Sequence, residues 1–444
     1  EEEEEDEDDG ARRVRPGKAE RLGTQKEVRQ FKRLLTCVFL LLMPIAVIEH
    51  IVAATNAKAA ETVVRAVEEV GGKVRRYLRP IKVDDSATMK RAARPRSNNR
   101  RVGLAIKPLT VAELIFFFGA LIDQGVHWRP NLACYWSNRP ADRVDYVALM
   151  TKDRFVEVQA HLSFELPGSM RYPTTDPFRK LRYVDTALLL AATWAWDPEP
   201  FACLDESRVA THSQYCPFRQ QMMCKPIKDG CTVYTFVFES GYLYAWEWFL
   251  GAAADTPLPL GQPTDTAPLD EDNSGFIVNI VKKLAGRPEF HGTGMTIVTD
   301  KGYTSIRAAM YLASCGIFLV GMLRTKGRPV STPRGARHYF PFRFPTMDNL
   351  VGWARGARRE AYQQLEVAHG REWYLKAEVW LDSRFCTLVG TVIFEVSDVQ
   401  VRRWSKTSKA YILIACSRMA KLYQKHMPHV DRYNDRHQST NISM

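Results

Sequence analysis

The chain has 444 residues, 45% hydrophobic and 25% charged, which excludes a largely disordered, collagen-like or disulfide-framework protein and leaves room for roughly two to four domains. Lys plus Arg number 62 against 50 acids, a net +12, and nine of those acids form the opening run Glu1 to Asp9, so the rest carries 62 basic against 41 acidic residues, a balance of +21. A basic body of that size points to a polyanion, nucleic acid or an anionic membrane surface.

Residues 1–33 are charged and lack apolar periodicity, which predicts a solvated tail. The chain opens on Glu1 rather than Met, as a fragment would. Leu34 to Ile48 is a 15-residue apolar run broken by Pro44 and closed by Glu49 and His50. It is shorter than the ~20 residues of a membrane span, and a secretory signal needs its cleavage site close to the N-terminus, whereas residues 1–33, mostly charged, precede this run. A buried helical segment is expected, extending helically to about Arg79. Lys73 to Lys107 then holds twelve Lys or Arg against Asp84 and Asp85 and reads as a basic linker. Lys90, Arg91, Arg100 and Arg101 are its candidate DNA-backbone contacts or nuclear localisation signal; a plain solvated loop fits the composition equally. Thr110 with Glu113 has the spacing of a capping box before the apolar stretch Leu114 to Leu121. Helical patterns follow at Asp142–Phe164 and Tyr183–Trp196.

The pattern changes near Phe201. Short β-type runs occupy Phe201–Leu204, Thr232–Phe238 and Tyr242–Leu250, the last two joined by Glu239-Ser240-Gly241 as in a hairpin. After a Pro/Asp/Thr-rich loop at Asp255–Asn273, a helix at Phe276–Leu284, a strand at Met295–Thr299, a helix at Ser305–Ser314 and a strand at Ile317–Leu323 are predicted. This order implies an α/β fold, a mixed sheet flanked by helices. The nine cysteines form no disulfide framework and suit a reducing compartment. Cys203, Cys216, Cys224 and Cys231 lack the Cys-x-x-Cys spacing of a zinc site and read as buried thiols.

Asp205 and Asp300 each end an apolar strand run. A lone Asp there is usually a cap or turn residue, but two on neighbouring strands make an oxygen-ligand site for Mg²⁺ or Mn²⁺, because clustered carboxylates are costly without a cation. Paired metals in such a site stabilise the attacking and leaving oxygens of a phosphodiester.

The residues around these acids resemble piggyBac-type transposases and their domesticated derivatives. Leu204-Asp205-Glu206-Ser207, Phe218-Arg219-Gln220 and Lys225-Pro226-Ile227-Lys228 are similar to the family's first catalytic block. Val298-Thr299-Asp300 with Tyr303-Thr304-Ser305 is similar to the second. Tyr423-Gln424-Lys425-His426-Met427 and Val430-Asp431-Arg432-Tyr433 resemble the segment that bears the third Asp. Upstream, Ile51-Val52, Thr55-Asn56, Glu113-Leu114, Gly119, Tyr135-Trp136-Ser137, Arg154-Phe155, Leu162 and Phe164 fall in family order, so the resemblance spans about residues 34 to 437.

The resemblance implies an RNase H-like core at 200–325 and 411–444, interrupted by an insertion domain at 326–410 and preceded by a helical dimerisation and DNA-binding domain at 34–199. It implies Asp205, Asp300 and Asp431 as catalytic, metal-binding residues for two Mg²⁺ (or Mn²⁺) ions, with the Asn434 carbonyl oxygen as a further ligand. DNA is the implied partner, with Arg219, Lys225 and Lys228 as candidate contacts; a homodimer and a nuclear location are expected, without membrane or small-molecule substrate. The family's reaction is hydrolytic nicking, then strand transfer through a hairpin end and joining at TTAA.

Departures favour a second expectation, a domesticated or decayed DNA- or chromatin-binding protein without turnover. The family's Phe-Lys-Gly-Arg is Thr211-His212-Ser213-Gln214, the Asn after the second Asp is Lys301, and Asn434 stands where a further acid is usual. Pro428-His429 replaces Gly-Gly. The family's remaining DNA-binding stretch and its Cys/His-rich zinc module do not occur before Met444, and His426, His429 and His437, lacking cysteines at finger spacing, are expected at the surface.

Overall fold

The computed structural model describes residues 39–69, 107–137, 149–169, 172, 176–211, 213, 215–250, 275–323, 352–365, 373–392 and 398–439. The charged tail, the basic linker up to residue 106 with Lys90, Arg91, Arg100 and Arg101, and the Asp255–Asn273 loop lie outside the described residues.

Among the described residues, four α-helices build the first part: α1 (Ile45–Glu69), α2 (Val111–Val126), α3 (Lys152–His161) and α4 (Arg179–Trp194). Their core centres on Ile48, Ile51, Leu114, Phe117, Phe155 and Val158, each at most 1% exposed. The capping box at α2 is formed, with Thr110 Oγ1 accepting from Glu113 N and Glu113 Oε2 from Thr110 N. The same Glu113 pairs with the buried Arg154 of α3 at 3.0 Å, and Arg154 also reaches Glu157. Asn56 of α1 uses both ends of its amide on the backbone of Leu109, at 2.7 and 2.9 Å, while Thr55 bonds both N and O of Ser163. Buried backbone groups outside regular elements need such partners, which is why polar residues recur between these helices.

The apolar run is only partly buried: Val47 and Ile48 enter the core, whereas Leu41, Leu42 and Ile45 are each more than a third exposed. Pro44 interrupts it directly before α1. Among the described residues, no helix is long and apolar enough to cross a membrane.

The second part is a mixed sheet made by β1 (Phe201–Ala210), β2 (Gln220–Gln221), β3 (Asp229–Phe238), β4 (Leu243–Trp248), β5 (Thr296–Thr299), β6 (Phe318–Met322), β7 (Arg358–Gln364), β8 (Tyr374–Leu381) and β9 (Phe385–Val392). The strand order is β2-β3-β1-β5-β6-β9-β8-β7, and β4 also pairs with β3. β1, β5 and β6 are parallel, while β3 runs antiparallel to β1 and β9 antiparallel to β6. Helices α5 (Gly275–Ala285) and α6 (Ile306–Ser314) cover the face that carries Ala202, Leu204, Phe236 and Ile297. A two-stranded ribbon, β10 (Asp398–Ser405) and β11 (Ala410–Ser417), leads to α7 (Arg418–His426) and α8 (Pro428–Ser439). Those two helices pack on the opposite face, α7 through Met419 and Ala420, α8 through Val430. This is the helix-flanked mixed sheet of the RNase H-like core expected from the sequence.

Three expectations are corrected. The strand predicted at Phe201–Leu204 continues to Ala210, because antiparallel pairing with β3 runs on to Ala210↔Gly230 after the parallel pairing with β5 has stopped at Leu204. Of the four clustered cysteines, Cys203 and Cys231 are buried, Cys216 is half-buried and Cys224 is exposed. His426 and His429 are not surface residues; they are 0% and 5% exposed, because α7 and α8 fold them against Phe201 and the β3–β4 turn.

Gly321 of β6 lies against the turn that leaves β5. A Cβ there would collide with Thr304 Oγ1 and approach Thr299 Oγ1 at 2.6 Å. Those two hydroxyls hydrogen-bond at 2.8 Å, and Thr304 Oγ1 also donates to the backbone oxygen of Asp300 at 2.9 Å. Gly321→Ala is therefore expected to cost about 1–3 kcal/mol of stability by overpacking and to displace Asp300; urea unfolding of variant and wild type measures the loss.

Candidate active site

The site begins with a register. Parallel pairing of β1 with β5 ends at Leu204↔Thr299, so the next residue on each strand, Asp205 and Asp300, leaves the ladder side by side. Side chains alternate between faces of a strand. Asp205 shares its face with Cys203, which packs against Val237 of β3 and Val430 of α8. Val430 is wholly buried there, and the Cys203 thiol donates to the Met427 carbonyl oxygen at 3.4 Å. These contacts fix the first turn of α8 over β1, and Asp431 follows immediately, exposed. Asp205, Asp300 and Asp431, separated by up to 226 residues of chain, thereby come near enough for the charges of Asp300 and Asp431 to act on Asp205, although their carboxylate oxygens do not all lie within 4.8 Å of one another.

Their proximity is visible electrostatically. Burial, with the like charges of Asp300, Glu206 and Asp431 adding to it, pushes the Asp205 carboxyl up to about 6, although its Oδ1 accepts from Glu206 N at 2.8 Å. The Tyr423 hydroxyl of α7 reaches Asp300 Oδ1 at 3.4 Å. Burial and the Asp300 carboxylate hold that phenol above its usual range, so it remains a donor at neutral pH.

Glu206, next in the sequence block, points to the other face. There it accepts from the Tyr303 hydroxyl at 2.9 Å and pairs with Lys225 Nζ at 2.5 Å. Despite burial, Lys225 and Tyr303 keep Glu206 below the usual carboxylate range. Glu206 and then Asp205 raise the affinity of Lys225 for its proton. The chain thus supplies a cation beside the acids from the segment between β2 and β3, downstream of the Thr211-His212-Ser213-Gln214 that stands where the family has Phe-Lys-Gly-Arg.

Arg219 and Lys228, from the loop between β1 and β3, are exposed. Sequence reasoning missed the residue that shapes this loop. Arg208, 8% exposed, donates to the carbonyls of Ile227, Gln220, Lys228 and Gly230 and to Thr232 Oγ1 at 2.8–3.3 Å. A basic residue alternating into the buried phase of a strand was the available signal. On α8, half-buried Asn434 lies three residues after Asp431, and exposed Asp435 lies four after it; positions three and four apart share a helix face. Asp435 is thus a second overlooked residue, marked only by its helical spacing.

All four groups Asp205, Asp300, Asp431 and Asn434 offer oxygen donors, which suits hard divalent cations. A raised carboxyl value inside a cluster of acids, with Lys225 as a neighbouring cation, fits a site built around added positive charge. In the metal-free protein the Asp205 value lies above its unfolded one of 3.8. Its contribution is full below that value and is lost as pH rises through about 6. The wild type is accordingly expected to gain up to about 3 kcal/mol relative to Asp205→Asn on going from pH 7 to pH 4 without divalent ions, read as the difference in urea midpoints.

The family profile described as Transposase IS4 matches residues 36–444. A cryo-EM structure of a piggyBac transposase synaptic complex with hairpin DNA is similar to the present fold, with a TM-score of 0.61 and 18% identity, over 92% of this chain and 69% of that one. No curated protein sequence matched the chain.

Proposed function

The chain belongs to the transposase family described as Transposase IS4, and from that premise we propose that it is a piggyBac-type, DNA-binding protein in which Asp205, Asp300 and Asp431 hold two Mg²⁺ or Mn²⁺ ions for DNA cleavage and strand transfer. The single observation that carries this reading is that three carboxylates, from β1, from the turn directly after β5 and from α8, lie near enough to influence one another, with Asp205 raised by burial and then by the charges of Asp300, Glu206 and Asp431. The similar transposase structure is a complex with hairpin DNA, which supports DNA as the substrate.

Bound metal would supply Lewis acidity to the attacking and leaving oxygens of an in-line displacement. Asp205 and Asp300, on adjacent strands, would form the rigid half of the ligand set, and Asp431 would complete it from α8, with the Asn434 carbonyl oxygen one turn on. Tyr423 orients Asp300 by its hydroxyl. Lys225 balances part of the negative charge, and Arg219 and Lys228 are exposed for phosphate contacts. In the same reading, residues 34–199 serve dimerisation and DNA binding, 326–410 is inserted into the core, and the protein acts as a nuclear homodimer on two DNA ends. Asn434, which adds an oxygen but no charge, favours a second reading, a DNA-binding derivative without turnover.

Asp300→Ala is expected to abolish Mg²⁺-dependent nicking of supercoiled plasmid while leaving DNA binding nearly unchanged. Nicking that persists in the variant overturns the metal assignment, and wild type that binds DNA and metal without nicking supports the second reading. Neutralising the Lys and Arg residues of Lys73 to Lys107 is expected to reduce the slope of log K against log salt by about 0.9 per lost phosphate contact. An unchanged slope makes the segment a loop without contacts.

A further inference from the structure

Away from the three aspartates, a second group of ligand-type side chains converges beside the start of β1. His426 closes α7, His429 is the second residue of α8, and Glu239 follows β3 in the turn to β4. Their ligand atoms all lie within 4.8 Å of one another, the one such group of three His, Cys, Asp or Glu among the described residues. His426 Nδ1 is 3.2 Å from His429 Nε2 and 3.8 Å from Glu239 Oε1. Zinc bonds of about 2.0–2.1 Å in tetrahedral array separate ligand atoms by about 3.3 Å, so both spacings need shifts of only a few tenths of an ångström.

We propose that His426, His429 and Glu239 bind a zinc-class divalent cation that pins the start of α8 to the edge of the sheet. The two rings are buried, and His426 stacks on Phe201 with centroids 4.1 Å apart and planes 10° from parallel, which fixes its orientation. The Glu239 side chain, 36% exposed, forms the rim through which an ion enters. Two imidazoles and one carboxylate suit Zn²⁺ and Co²⁺, with water in the fourth position. The all-oxygen aspartate site selects Mg²⁺ or Mn²⁺ instead. Burial keeps the His426 ring neutral near pH 7, the form that ligates.

Two features limit the affinity. Lys425 Nζ, itself largely exposed, holds Glu239 Oε1 at 3.2 Å and must yield it to the metal. Ligation through Nδ1 leaves the proton of His426 on Nε2, which is buried without a hydrogen-bond partner, and metal-ligating histidines ordinarily have one. Micromolar rather than nanomolar binding is therefore expected. The ion's role is positional, since His429 lies two residues before Asp431 and three after His426, and the metal would hold both helices at their junction.

The test uses the full chain carrying Asp205→Asn and Asp300→Asn, stripped with EDTA, so that the aspartate site does not report. Co²⁺ titration is expected to give the visible ligand-field bands of a tetrahedral site, displaced by one equivalent of Zn²⁺, with a rise in Tm. Added as a third substitution, His429→Gln should abolish the bands, Glu239→Gln should weaken binding at least about tenfold, and Lys425→Ala should tighten it by freeing the carboxylate. Glu239 and Lys425 are partly exposed, so these variants are expected to fold. No bands and no Zn²⁺ stabilisation would reduce the pair to a His426–His429 hydrogen bond and overturn the proposal. Binding that survives His429→Gln would do the same, by placing the ion elsewhere, such as at Cys216 and Cys231, whose sulfurs are 3.5 Å apart.

Discussion

The parallel pairing of β1 with β5 is the constraint on which the site depends. Because it ends at Leu204↔Thr299, Asp205 and Asp300 emerge together from a buried sheet, on backbone that hydrogen bonds hold in place. A slip of one residue in either strand would turn its carboxylate to the other face, toward the apolar packing of α5 and α6. The hydroxyl pair Thr299 and Thr304, seated in the space left by Gly321, secures the end of β5 from the side of β6.

The third acid depends on a different kind of contact. α8 reaches the site only after the sheet has been extended through β9, β8 and β7, and the ribbon β10–β11 and α7 have been laid down. Its docking rests on the packing of Val430 with Cys203 and Val237, together with the thiol bond to Met427. Burying acids beside one another raises Asp205 and weakens the metal-free fold. The arrangement therefore trades stability for a cluster of negative charge, a pattern of polar groups held against their own repulsion that marks functional sites.

Much of the fold was legible before any coordinates. The capping box of Thr110 and Glu113, the hairpin at Gly241 and the alternation of strands with helices from Phe201 to Leu323 are local signals, set by side-chain hydrogen bonds, backbone freedom and period. Motif residues of the helical part proved to be ties between elements: Asn56 serves the Leu109 backbone, Thr55 serves Ser163, and Arg154 joins Glu113 to Glu157. Other features were misread for one physical reason. The extent of β1, the burial of His426 and His429 and the exposure of Leu41, Leu42 and Ile45 in the apolar run are decided by partners distant in the chain. Local composition carries no trace of them.

The sequence alone determined that Asp205 and Asp300 close apolar strand runs and that the chain is a basic α/β protein, because composition, period and short motifs are properties of neighbouring residues; the transposase reading and the third acid came from the resemblance of its motifs to a known family. Only the tertiary structure decided that Asp300 and Asp431 lie near enough to act on Asp205, that Glu206 turns away to Tyr303 and Lys225, that Arg208 shapes the basic loop, and that two histidines and a glutamate converge beside the start of β1. Strand register and helix docking are long-range choices made by burying apolar surface, and they bring together side chains whose spacing along the chain says nothing of their distance in space.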